Sequence, residues 1–97
     1  MIRIVKLTFR EDTVDSFMEI FNESKTKIRS FSGCQRLELL HDIDNPNIFF
    51  TYSYWDKPES LENYRASALF IGVWAKTKKL LDAKPEAWSV ERKAVLD

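Results

Sequence analysis

Between Ile48 and Trp74 the chain reads IFFTYSYWDKPESLENYRASALFIGVW, and these 27 positions hold eight of its 13 aromatic residues. The first part, Ile48–Trp55, is dominated by aromatic and β-branched residues, the composition of a strand. Asp44-Asn-Pro-Asn47 before it is a dense turn signal. Asp56-Lys-Pro-Glu59 after it reads as a helix start, with Asp56 as cap, Pro58 in the first turn and Glu59 reaching back as in a capping box. Aromatic density of this kind supplies either most of a core or the wall of an apolar pocket.

The flanking sequence supplies partners for that strand. Ile2–Phe9 is β-rich and free of Gly and Pro. Neither of its faces is purely polar, so it suits a strand covered on both sides. From Val14, the residues Val14, Phe17, Met18, Phe21 and Ile28 share one helical face, with Asp12 or Thr13 as the expected cap. Acidic residues crowd the start of this helix and basic residues its end, the order that the helix dipole favours. Phe31-Ser-Gly33 ends the helix. Cys34–Asp42 alternates Leu37, Leu39 and His41 against Arg36, Glu38 and Leu40, predicting a strand that forms an antiparallel hairpin with Ile48–Trp55. Arg36 and Glu38 are expected to share a face with Cys34 and Leu40, as a cross-subunit ion pair.

A short helix to about Arg65 follows Pro58, and Ser67 caps the next. Leu69, Phe70, Val73, Trp74, Thr77, Leu80 and Leu81 form the stripe of that helix, predicted to be buried. Gly72 inside it costs about 1 kcal/mol against Ala, which predicts close approach to a neighbour or a ligand. Ala87–Leu96 reads as a closing strand with Trp88 and Val90 on one face. The order βαββααβ makes residues 1–97 a single α+β domain, a ferredoxin-like sandwich with a four-stranded antiparallel sheet.

Composition narrows the function by exclusion. The net charge is zero with acidic and basic residues interleaved, which gives no support for nucleic acid or an anionic membrane as partner. A lone cysteine, Cys34, excludes an internal disulfide framework and a multi-cysteine zinc site. No apolar run approaches the roughly 20 residues of a membrane span. Arg3 and Lys6 interrupt the only candidate signal region. The expectation is a cytoplasmic protein without metal or cofactor, small enough that a ligand pocket would benefit from a second subunit.

Several pieces together resemble the antibiotic biosynthesis monooxygenase group of dimeric α/β-barrel proteins. They are Gly33-Cys34 opening the second strand, Asp42 with Asn45-Pro46 before the third, the strand ending at Trp55, Pro58-Glu59-Ser60-Leu61 starting a helix, and Ser67-x-x-Phe70 opening the next. The resemblance implies a homodimer in which two sheets pack face to face. It also implies a small cofactor-independent oxygenase acting on an anthrone- or quinol-like molecule, with non-catalytic binding or stress-response proteins as the alternative. Haem-degrading relatives are similar too, but their pattern places a His where this chain has Trp74, and indole cannot replace the imidazole that ferric haem requires.

The candidate residues follow, each with a structural alternative. Tyr64, nine residues after Trp55, either hydrogen-bonds a substrate oxygen and manages its proton or is a helix-surface residue. His41, the only histidine, is either a general base or an exposed residue at a strand end. Trp74, Trp55 and Phe70 are pocket wall or core. Tyr52 and Tyr54 share a strand face that either lines the pocket for an apolar aromatic ligand or faces the other subunit.

Overall fold

The alternation of apolar strands and amphipathic helices resolves into β1 (Ile2–Thr8), α1 (Val14–Arg29), β2 (Cys34–His41), β3 (Ile48–Trp55), α2 (Pro58–Arg65), α3 (Ala68–Lys78) and β4 (Glu86–Val90) in a computed structural model that describes residues 1–97. The strands lie in the order β2-β3-β1-β4 and every pairing is antiparallel, giving the ferredoxin-like α+β sandwich. The molecule measures 36 × 34 × 22 Å. The shortest dimension holds one sheet and one layer of helices, each helix being about 10–12 Å across, so only one sheet face is covered.

Register assigns the faces. Ile2, Ile4 and Lys6 pair with Tyr54, Tyr52 and Phe50 on one side of β1, and Ile4 and Ile2 pair with Trp88 and Val90 on the other. Side chains alternate across a strand, so these residues share the open face, where Trp88 is 45% exposed, Leu40 40% and Val90 37%. The opposite set, with Leu7, Phe49, Ser53 and Trp55, turns toward the helices and is buried. Only 14 of 97 residues are buried. The core they form is split, with Ile28, Cys34, Trp55, Leu61 and Tyr64 in one cluster and Leu7, Phe9, Phe17 and Phe49 in another.

Short polar devices hold the loops. The Asp42 carboxylate accepts from the Asp44 and Asn45 amides at 2.8 Å each, shaping the turn between β2 and β3. Arg10 donates to the carbonyls of Leu81 and Lys79, satisfying groups just past the end of α3. Gly33 takes φ +90°, and a Cβ there would collide with the Ser60 side chain. Ser67 caps α3 as expected, its hydroxyl oxygen accepting from the Phe70 amide at 3.2 Å.

Other local expectations fail for identifiable reasons. Thr13 precedes α1 but makes no capping bond; its hydroxyl donates instead to the Leu80 carbonyl at 2.7 Å. Asp56 does not cap α2, because the helix starts at Pro58 and its N-cap position falls to Lys57; the Asp56 carboxylate instead accepts from the Ser60 hydroxyl at 2.6 Å. A bulge between Cys34 and Arg36 shifts the register of β2. Cys34 therefore joins the helix-side core, while Arg36 and Glu38 pair with each other within one chain on the far side. A Cβ at Gly72 would meet nothing within 4 Å, so no close approach within the chain explains that residue. In the α3 stripe only Thr77 is buried, because that helix faces a cavity. The closing strand stops at Val90, since Val90 already pairs with Ile2 and β1 has nothing further to offer.

Candidate functional site

Where the two core clusters fail to meet, a cavity of about 400 Å³ opens between the sheet and the helices. That volume lies in the usual range of small-molecule sites. Val5, Leu7, Thr51 and Ser53 form its floor on β1 and β3. Phe17, Phe21 and Ile28 of α1 and Phe70, Val73 and Trp74 of α3 form much of its walls. Tyr64 and Arg65 of α2 and Arg3 of β1 complete one end. Thirteen of its 19 lining residues are hydrophobic, so the few polar groups decide what it can recognise.

Aromatic packing sets the wall. The Trp55 ring is fully buried and stacks on Tyr64 with centroids 5.2 Å apart. Tyr64 meets the edge of Phe70 at 5.2 Å, and Phe70 lies nearly parallel to Trp74 at 6.4 Å. This ladder runs from the core to the cavity, so Trp55 orients Tyr64 from behind. The Trp55 indole N–H is satisfied by the Ser53 hydroxyl oxygen at 2.9 Å.

Tyr64 is the polar group in this wall with the sharpest chemistry. No group in the chain hydrogen-bonds its hydroxyl, yet no buried side-chain polar atom lacks a partner. The oxygen is therefore not fully enclosed, and Tyr64 is part of the cavity lining. Burial pushes its phenol up to about 12, with the nearby Cys34 sulfur adding to the effect. At neutral pH it is a hydrogen-bond donor and acceptor but not a base. Cys34 itself is raised by burial, against the opposing pull of its bond to the Arg36 backbone and of the Arg29 charge, so it stays a thiol.

Of the residues singled out from the sequence, Tyr64, Phe70 and Trp74 meet at the cavity. Trp55 stands behind it. Tyr52 and Tyr54 lie on the open sheet face, with the Arg92 guanidinium 5.7 Å from the Tyr54 ring. His41 sits at the far end of β2, stacked on Phe49 at 4.3 Å with its Nε2 2.8 Å from the Pro46 carbonyl. It lies outside the cavity lining, in no position to act as a base there. No helix is long and apolar enough to cross a membrane.

Sequence reading missed Arg3, Arg65, Thr51 and Ser53. Arg3 had a visible signal, a charge in step with Val5, Leu7 and Phe9 on what became the core face of β1. Arg3 donates to the Ser89 hydroxyl oxygen at 3.0 Å. Arg3, Leu61 and Arg65 line both the cavity and a groove on the outer surface, which marks that end as the mouth.

A family model described as antibiotic biosynthesis monooxygenase matches residues 1–73. Among solved structures, a conserved protein from Methanosarcina mazei Go1 is 23% identical, with a TM-score of 0.83 over 89% of this chain and 86% of its own. A structure of an antibiotic biosynthesis monooxygenase is 15% identical, with a TM-score of 0.88 over 97% of this chain and all (100%) of the other. Rv0793 from Mycobacterium tuberculosis is 17% identical, with a TM-score of 0.83 over 97% of each chain. At these identities the likeness is one of fold. No curated protein sequence matches the chain significantly.

Proposed function

The chain belongs to the antibiotic biosynthesis monooxygenase family, and from that premise we propose that it is a cofactor-independent monooxygenase acting on a small, planar, quinol- or anthrone-like substrate. The observation that carries this reading is Tyr64, whose hydroxyl has no partner within the chain, in the wall of a mainly aromatic and aliphatic cavity. In such chemistry the substrate supplies the electrons. An anthrone-type methylene loses a proton, gives an electron pair to dioxygen and then loses water. One oxygen atom ends in the new ring carbonyl, and the other leaves as water with both methylene hydrogens. The protein's part is a dry pocket, stacking surfaces on Phe70 and Trp74, and a donor for the developing oxyanion. Tyr64 donates; it does not remove the first proton, which leaves toward the solvent at the mouth.

Haem suits this cavity poorly. No histidine lines it, and a phenol held near 12 resists the ionisation needed to ligate iron. One observation favours a second reading, a non-catalytic binding or stress-response protein: neither a carboxylate nor an imidazole lines the cavity. The exposed apolar sheet face supports a homodimer packed through Ile4, Phe50, Tyr52 and Trp88. A reducing, cytoplasmic setting suits the free thiol of Cys34.

Dioxygen consumption with a panel of reduced quinols and anthrones tests the proposal. Uptake above the rate without enzyme is expected for at least one compound. No uptake with any of them, together with a ligand-induced rise in melting temperature, transfers the protein to the second reading.

A further inference from the structure

The mouth of the cavity carries charge that the fold does not use. Arg3 projects from the helix-facing side of β1 and shares its register position with Ser53 of β3. Its one side-chain bond, to Ser89, is neutral. Arg65 makes no side-chain hydrogen bond, and the four ion pairs of the chain include neither residue. Glu62 and Glu91 share the outer groove but pair with neither guanidinium. Burial, and then the Arg65 charge, hold Arg3 below its usual range. Arg65 alone has an ordinary explanation, a cation in the last turn of α2. Arg3 has none: a half-buried guanidinium without a counter-charge is costly.

We propose that the ligand of this cavity is an amphipathic anion, its flat apolar body against Phe70 and Trp74 and its carboxylate or other planar oxyanion held at the mouth between Arg3 and Arg65. This rests on the cavity being the ligand site of the proposed function, and it adds the charge of the substrate. A guanidinium offers paired N–H donors that match a planar oxyanion, and Ser89 fixes one edge of Arg3 while leaving its other donors free. Charge at one end and apolar wall at the other also dictate which way round the ligand enters, head outward.

Two probes of nearly equal shape, 2-naphthoate and its neutral amide 2-naphthamide, isolate the charge in titrations followed by tryptophan fluorescence or calorimetry. The carboxylate is expected to bind about tenfold more tightly than the amide, a preference that shrinks as salt is raised. The double variant R3Q/R65Q, its fold checked by circular dichroism, should abolish the preference. K27Q/K76Q removes the same charge from exposed helix positions and should leave it intact. If R3Q/R65Q does not fold, Arg65→Gln alone should at least halve the preference. Equal affinities in the natural chain, a preference that survives R3Q/R65Q, or binding of neither probe overturns the inference. Oxygen uptake from neutral quinols that is indifferent to R3Q/R65Q would sink it while leaving the proposed activity in place. Selective binding of 2-naphthoate without oxygen uptake would do the reverse.

Discussion

A phenol held near 12 stays protonated throughout the neutral range, which fixes what Tyr64 contributes. Tyr64→Phe removes the donor and keeps the ring stack with Trp55 and Phe70. Turnover of an oxidised quinol or anthrone should fall about 10²-fold, as when one preorganised donor is lost, with little change in KM. The same residue has a signature in stability. Its value rises from 10.0 in the open chain to about 12 in the fold. Between those limits the unfolded chain sheds its proton first, so the stability tied to Tyr64 is complete below pH 10 and disappears as pH climbs toward 12. Melting temperature followed across that interval should drop less steeply for Tyr64→Phe than for the natural chain. Parallel curves would show that the ring is less enclosed than its packing indicates.

The two glycines test the helices and turns in opposite directions. Gly33 carries a left-handed φ and leaves no room beside Ser60, so Gly33→Ala should cost at least about 2 kcal/mol in denaturant unfolding. Gly72 sits in α3 with open space around it, so Gly72→Ala should add about 0.5–1 kcal/mol. These elements show where the sequence was legible. Ile48–Trp55, Pro58 at the start of α2 and the Ser67 cap depend on local chemistry and stood in the expected places. The face of Cys34 did not, because a bulge breaks the alternation from which faces are read. Tyr52 and Tyr54 remained ambiguous for a related reason. Period-two patterning separates two faces, but it does not say which is covered when both are apolar. The aromatic wall of the cavity was legible in Tyr64, Phe70 and Trp74, but its polar floor was hidden, since Thr51, Ser53 and Arg3 come together only when β1 pairs with β3.

A single layer of helices over a sheet 22 Å deep in all leaves an apolar face with Tyr52, Phe50 and Trp88 uncovered. If a second copy covers it, sedimentation at micromolar concentration should report a dimer, and Trp88→Glu should return a folded monomer. A natural chain that sediments as a monomer would remove the paired-sheet arrangement. The rims of the sheet bear on what such assembly can become. One outer strand, β2, is bulged and displays Arg36 and Glu38; the other, β4, is five residues long. Bulges, charges and short outer strands all discourage a further strand from adding alongside. Growth sideways is thus obstructed, and if a second copy does stack on the open face, a self-complementary contact of that kind saturates after one copy. The bulge that moved Cys34 inward therefore also works as a terminator, closing that rim of the sheet to an open-ended fibre.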